Sequence, residues 1–163
     1  MSFLIAAAIA AAAPGGAADL RTQLTQSGYV AVQLRPSGVG HLHTDGTLQG
    51  RSVEVLVDTG ASNTVIDVEL ARELGLRLIP TAQRGAGVGD ASVAVNRIEG
   101  AALFVGGVPI TGEIYTMDFS SLRAALRARG VEAPAAVLGG DAMRRLDAVL
   151  VYRENLLFLR RPE

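Results

Sequence analysis

Val53-Glu54-Val55-Leu56-Val57-Asp58-Thr59-Gly60-Ala61-Ser62-Asn63-Thr64-Val65-Ile66 is the stretch on which the reading of this chain turns. Val53, Val55 and Val57 alternate with Glu54 and Leu56, the period-two pattern of a strand that is at least half-buried. That strand runs directly into an aspartate, the chain turns through Thr59-Gly60, and apolar sequence then resumes. A carboxylate at the end of a buried strand is costly unless it is hydrogen-bonded. The turn offers backbone N–H groups and the Thr59 hydroxyl nearby, and Gly60 allows the backbone to approach the carboxylate closely. Asp58 therefore reads as a candidate catalytic residue held at a loop tip, with Thr59, Gly60, Ala61 and Ser62 as its active-site loop. Asp-Thr-Gly alone is a weak signal, and the flanking sequence has to decide.

Outward from this stretch the pattern remains mostly period two. Val30, Val32 and Leu34 alternate with Ala31 and Gln33, and Asp45-Gly46, Gln49-Gly50, Gly106-Gly107 and Arg153-Glu154-Asn155 punctuate apolar runs as hairpin turns would. Helices are expected in three places. Asp67 is placed to cap Val68 to Leu74, with Gly75 ending it. Ser120 or Ser121 opens Leu122 to Arg129, and Gly130 closes it, with Arg127 and Arg129 as solvated residues near the negative end of the helix dipole. A short helix over Ala142 to Leu146 follows Asp141, which reads as its N-cap. Two closing strands, Ala148 to Tyr152 and Leu156 to Arg160, complete a mainly β chain.

Composition narrows the function classes. The chain has 163 residues, 49% of them hydrophobic but 26 of them alanine, and only 4% aromatic, so the core is built from small aliphatic side chains. At roughly 100 to 200 residues per domain this is one domain. Fifteen arginines, no lysine and 16 acidic residues give a net charge of −1 without a basic face, which argues against nucleic acid as partner. Absence of cysteine removes disulfides, thiolate metal sites and cysteine nucleophiles. Residues 1–18 form an apolar run closed by small residues, a candidate signal peptide cut after Ala18, although no Lys or Arg precedes it. The run is short of the roughly 20 residues needed to span a bilayer. Export to the periplasm or medium is therefore expected, with no stable membrane span; without cleavage the chain would stay cytoplasmic.

Three further features join the central stretch in fixed order. Arg84-Gly85-Ala86-Gly87-Val88-Gly89-Asp90 reads as a Gly-containing hairpin tip, Val137-Leu138-Gly139-Gly140-Asp141-Ala142-Met143 places two apolar residues and a glycine before a short helix, and Ala148-Val149-Leu150-Val151-Tyr152 leads into the closing hairpin. With Leu56-Val57-Asp58-Thr59-Gly60-Ala61, these resemble the retropepsin-like aspartic proteases, in particular their bacterial members, from about Gly40 to Arg160. The resemblance implies a closed or partly open acid-protease β-barrel with two or three short helices. It assigns residues 40–163 to the protease domain, after an N-terminal segment over 19–39. It implies a flap formed by Gly85, Ala86, Gly87, Val88 and Gly89, loop support from Leu138 and Gly139, and Thr59 bonded across a two-fold axis. Leu156 to Leu159 becomes a dimer-interface strand by the same resemblance.

The implied activity is peptide-bond hydrolysis by an aspartic endopeptidase. Two carboxylates about one water apart share a proton; the charged one acts as general base and the protonated one polarises the scissile carbonyl. This chain has one Asp-Thr-Gly and no Asp-Ser-Gly, so the second aspartate is expected to be Asp58 of another copy, in a two-fold homodimer acting on a peptide or protein substrate. No cofactor or metal is needed. Ala61 lacks the hydroxyl of pepsin-like relatives, so the pair loses a donor to its charged form, and activity at mildly acidic to neutral pH is expected. Ser62 stands where retroviral members usually carry an aspartate, and the segment Phe119 to Pro134 is an insertion relative to them.

Alternative readings are weighed on the same residues. A non-catalytic peptide-binding module would keep the groove and flap. The glycines at 85, 87 and 89 lack the following helix with Lys or Ser/Thr that a phosphate loop needs. His41 and His43 face one side of a strand but lack a third metal ligand, so packing is expected of them. Ser62 lacks the strand-to-helix elbow of a serine nucleophile.

Overall fold

The computed structural model describes residues 17–86 and 92–162. Residues 1–16 of the candidate signal segment 1–18, and the flap residues Gly87, Val88 and Gly89, lie outside the described residues. Helix α1 (Ala17–Gln26) precedes strands β1 (Tyr29–Gln33), β2 (Arg35–Pro36), β3 (Leu42–Leu48), β4 (Arg51–Val57) and β5 (Val65–Asp67). After α2 (Val68–Glu73) come β6 (Arg77–Ala86), β7 (Ser92–Glu99), β8 (Leu103–Val105), β9 (Val108–Pro109) and β10 (Ile114–Met117). The chain closes with α3 (Ser120–Arg127), β11 (Ala136–Leu138), α4 (Gly140–Arg145), β12 (Val149–Val151) and β13 (Leu156–Arg160). It is mainly β, as expected. The large sheet runs β6-β7-β10-β5-β11-β4-β3-β8-β9, with β2 beside β3, and is partly open rather than closed among the described residues. A second sheet has the order β1-β13-β12.

Local chemistry explains most element ends. Gln49 and Gly50 both adopt positive φ, 51° and 79°, as a two-residue hairpin turn between right-twisted strands requires. Asp67 caps α2, its Oδ1 accepting the Glu69 N–H at 3.4 Å, and Gly75 ends that segment at φ 66°. Three details depart from expectation. Asp45-Gly46 is not a turn but the middle of β3: a Cβ on Gly46 would lie 2.7 Å from the Phe104 carbonyl oxygen and 2.8 Å from Val55 Cγ2. The glycine therefore serves the close approach of neighbouring strands. The N-cap of α3 is Phe119 rather than a serine, and the preceding Asp118 accepts the Ser120 N–H on its Oδ1 at 2.7 Å. Helix α1 was not anticipated, since its sequence carries little apolar periodicity.

The core follows the composition. Val53, Val55 and Val57 of β4 pack with Leu48, Leu103, Val105, Ile114 and Leu138 in one aliphatic cluster, each side chain worth about 1.5–3 kcal/mol when fully buried. Strand β13 is the central strand of its sheet, paired with β1 and β12, and Leu156 to Leu159 are buried within the chain. Both of its hydrogen-bonding edges are used within the chain, so a second copy could not add to β13 as a neighbouring strand.

Strand β11 decides the placement of the site. It pairs in parallel with β4, Leu138 beside Val57, and antiparallel with β5, Val137 beside Val65. The loop 58–64 that joins β4 to β5 must therefore straddle the end of β11.

Candidate active site

Asp58 follows the last residue of β4, and its N–H extends the ladder by one bond, donating to the Leu138 carbonyl at 3.1 Å. Beyond that bond the chain leaves the sheet. The Gly60 N–H donates to Asp58 Oδ1 at 2.8 Å, and the Ala61 N–H donates to the Asp58 carbonyl at 3.2 Å. One carboxylate oxygen is thus fixed by its own turn. A Cβ on Gly60 would stand 3.2 Å from that oxygen, so glycine leaves the room this bond needs.

The segment after β11 clamps the loop from below. The Gly140 N–H donates to the Ala61 carbonyl at 2.8 Å. A Cβ on Gly139 would meet the Asn63 carbonyl group at 2.5 Å, which no side chain tolerates without movement of the loop. Thr64, wholly buried, accepts the Gly139 N–H at 3.1 Å and donates to Asp141 Oδ1 at 2.9 Å. The other Asp141 oxygen pairs with Arg145 at 3.0 Å. Asp141 is therefore not the N-cap of α4, which is Gly139. The helix starts early enough to carry the carboxylate into its first turn, where it braces the Asp58 loop. Thr64 and Asp141 were missed as loop braces because they are 77 positions apart, and no single-sequence signal pairs them.

Above the loop lies a cleft of about 700 Å³. Asp58, Thr59, Gly60, Ala61, Ser62 and Asn63 line it on the loop side, and Gln83, Arg84 and Gly85 of β6 line it from the hairpin β6–β7. Gly85 fits there because a Cβ would come within 2.8 Å of Met117 Sδ. Ala86 ends β6 beside Ser92. Tyr115 also lines the cleft, and its hydroxyl donates to Glu113 Oε2 at 2.5 Å; that bond, helped by burial, holds the phenol above its ordinary pKa. Among the described residues Asp58 is the sole carboxylate lining this cleft.

The two histidines separate. Their rings stack at 6.4 Å, but His41 is exposed at the cleft edge while His43 is buried in β3. Among the described residues no three metal-ligating side chains gather. Ser62 sits in the β4–β5 loop and opens no helix.

A model of the aspartyl protease family matches residues 44–142, a span that holds the Asp58 loop, the flap strands and the Gly139 clamp. The chain belongs to the aspartyl protease family. Two solved structures share its retropepsin-like fold. A retropepsin-like aspartic protease from Rickettsia conorii is 18% identical with TM-score 0.52, over 81% of this chain and 89% of that one. The retroviral protease-like domain of Ddi1 from Leishmania major is 20% identical with TM-score 0.51, over 73% and 87%. No curated protein matches in sequence. No helix among the described residues of this aspartyl protease family member is long and apolar enough to cross a membrane.

Proposed function

We propose that this protein is an aspartic endopeptidase whose reactive pair is Asp58 of one copy and Asp58 of a second. The observation that carries the reading is the Asp58 carboxylate, fixed by the Gly60 N–H at the floor of an open cleft and, among the described residues, without an acidic neighbour there. A lone carboxylate can act as a base on water but cannot also donate a proton to the scissile carbonyl. Two that share one proton can do both. The ionised member takes a proton from water, the resulting hydroxide adds to the carbonyl carbon, and the protonated member stabilises the oxygen as charge develops on it. The shared proton then passes to the leaving amine.

The surface beside the loop suits a second copy. Exposed Thr59 borders both the cleft and a neighbouring depression of about 430 Å³ lined by Gly140, Met143, Arg144, Asp147, Ala148 and Leu150. A copy seated there would bring its own Asp58 loop towards the first, with Thr59 at the axis. Family membership and the retropepsin-like fold support peptide hydrolysis as the reaction class.

The test is to incubate an unfolded protein with wild type and with Asp58→Asn across acidic to neutral pH. The amide cannot serve as general base, so kcat should fall by about a thousandfold. Equal cleavage by the two would remove the peptidase reading; peptide binding without cleavage by either would favour the non-catalytic module.

A further inference from the structure

Helix α3 belongs to the segment that sets this chain apart from viral relatives, and the motif around Asp58 leaves it without a role. Its inward residues, Phe119, Leu122 and Leu126, recur at the spacing of one helix face. Phe119 packs with Leu56 and Val137 in a small apolar cluster distinct from the main core, with Ala61, Val65, Met117 and Leu122 packed around it. Leu56 lies two residues before Asp58 and Ala61 three after it. All seven residues line the cleft. The helix thus stands beside the reacting carboxylate and presents an uncharged face to whatever occupies that end of the cleft.

The next residue fixes where the helix stands. Arg123 Nη2 lies 2.9 Å from Asp67 Oδ2 and 2.9 Å from Glu69 Oε2. Asp67 is nearly inaccessible and spends its other oxygen on the α2 cap, so it is a rigid anchor. The bond ties α3 to the end of β5, and β5 carries Val65 into the same cleft. Leu122 and Val65 are therefore cleft-lining residues whose parent elements are held together by one ion-pair cluster.

We propose that α3 is the specificity wall of the cleft. Leu122 limits the size of the apolar substrate side chain accepted next to the scissile bond, and Arg123 is the positioning residue that holds the wall. A charged substrate side chain would lose its hydration against this apolar face of α3 and is disfavoured there. The inference rests on the peptidase reading and deepens it.

The experiment digests an unfolded protein with wild type, Leu122→Ala and Leu122→Phe, each checked for folding by circular dichroism, and maps the cleavage sites by mass spectrometry. Leu122→Ala should move preference from leucine towards aromatic side chains by about tenfold, as removal of methylenes from an apolar pocket does. Leu122→Phe should move it towards smaller ones, so loss of either variant to misfolding leaves the other to decide. On a single peptide Arg123→Gln should raise KM several-fold with kcat little changed, and Arg123→Lys should recover part of the loss. Folded Leu122 variants that cut at the wild-type sites with wild-type preference overturn the proposal while the peptidase reading stands. Wild type that cuts no better than Asp58→Asn overturns both.

Discussion

His43 places a titratable ring where water does not reach it. The residue is 3% exposed, and among the described residues neither ring nitrogen has a hydrogen-bond partner. Nδ1 lies 3.4 Å from Glu54 Oε1, near enough for attraction but without the alignment of a hydrogen bond. Burial disfavours the imidazolium and lowers the pKa; Glu54 opposes this, while His41 and Arg35 reinforce it. The unfolded ring takes its proton as pH falls through about 6.5, whereas the folded ring stays neutral until a lower pH. Its contribution to stability is complete above 6.5 and declines as pH falls below it. Denaturant unfolding at pH 7 and pH 5 should show a loss for wild type that is smaller for His43→Phe, which keeps a ring but cannot take a proton. An identical loss in both proteins would place the sensitivity elsewhere.

At the scale of elements, the Asp58 loop is a bridge built over β11, and its precision depends on contacts between segments distant in sequence. The Thr64 hydroxyl joins the start of β5 to Gly139 and to Asp141 in α4. Thr64→Val keeps the shape but leaves a buried N–H and a carboxylate oxygen short of a partner, at a cost of about 3 kcal/mol. Denaturant melts should register that loss, and kcat should fall as well, because the loop that aims Asp58 loses its brace. A variant with the expected stability loss and unchanged kcat would show that the brace holds the fold without aiming the carboxylate. The hairpin β6–β7 faces the same cleft from the other side, with Gly85 seated against Met117.

For the whole molecule, one lobe supplies one aspartate. The proposed reaction needs two, so catalysis and assembly should be a single equilibrium. Specific activity should fall on dilution in step with the loss of dimer followed by sedimentation, and full activity in a strictly monomeric sample would end the shared-dyad reading. Strand β13 is enclosed between β1 and β12, so it has no free edge on which a second copy could pair. The outer strands of that sheet, β1 and β12, each pair on one side only among the described residues, and the depression beside Thr59 adjoins the Asp58 loop. Tyr152, 66% exposed where the chain turns from β12 towards β13, lines the Asp58 cleft, so this end of the small sheet and the cleft are neighbours.

The amino-acid sequence by itself determined what short-range chemistry can encode. The alternation of Val53, Val55 and Val57 made β4 legible, Asp67 and Gly75 bounded α2, Gln49-Gly50 marked a turn, and Asp58-Thr59-Gly60 marked the candidate site. Each signal acts within one strand, one helical turn or one tight turn, where spacing alone fixes which atoms meet. Only the tertiary structure placed β11 between β4 and β5, set Gly46 inside a strand, turned Asp141 from an expected cap into a brace, and stood α3 against the cleft. Those outcomes depend on hydrogen bonds and packing between residues far apart in the chain, and their partners exist only once the chain has folded.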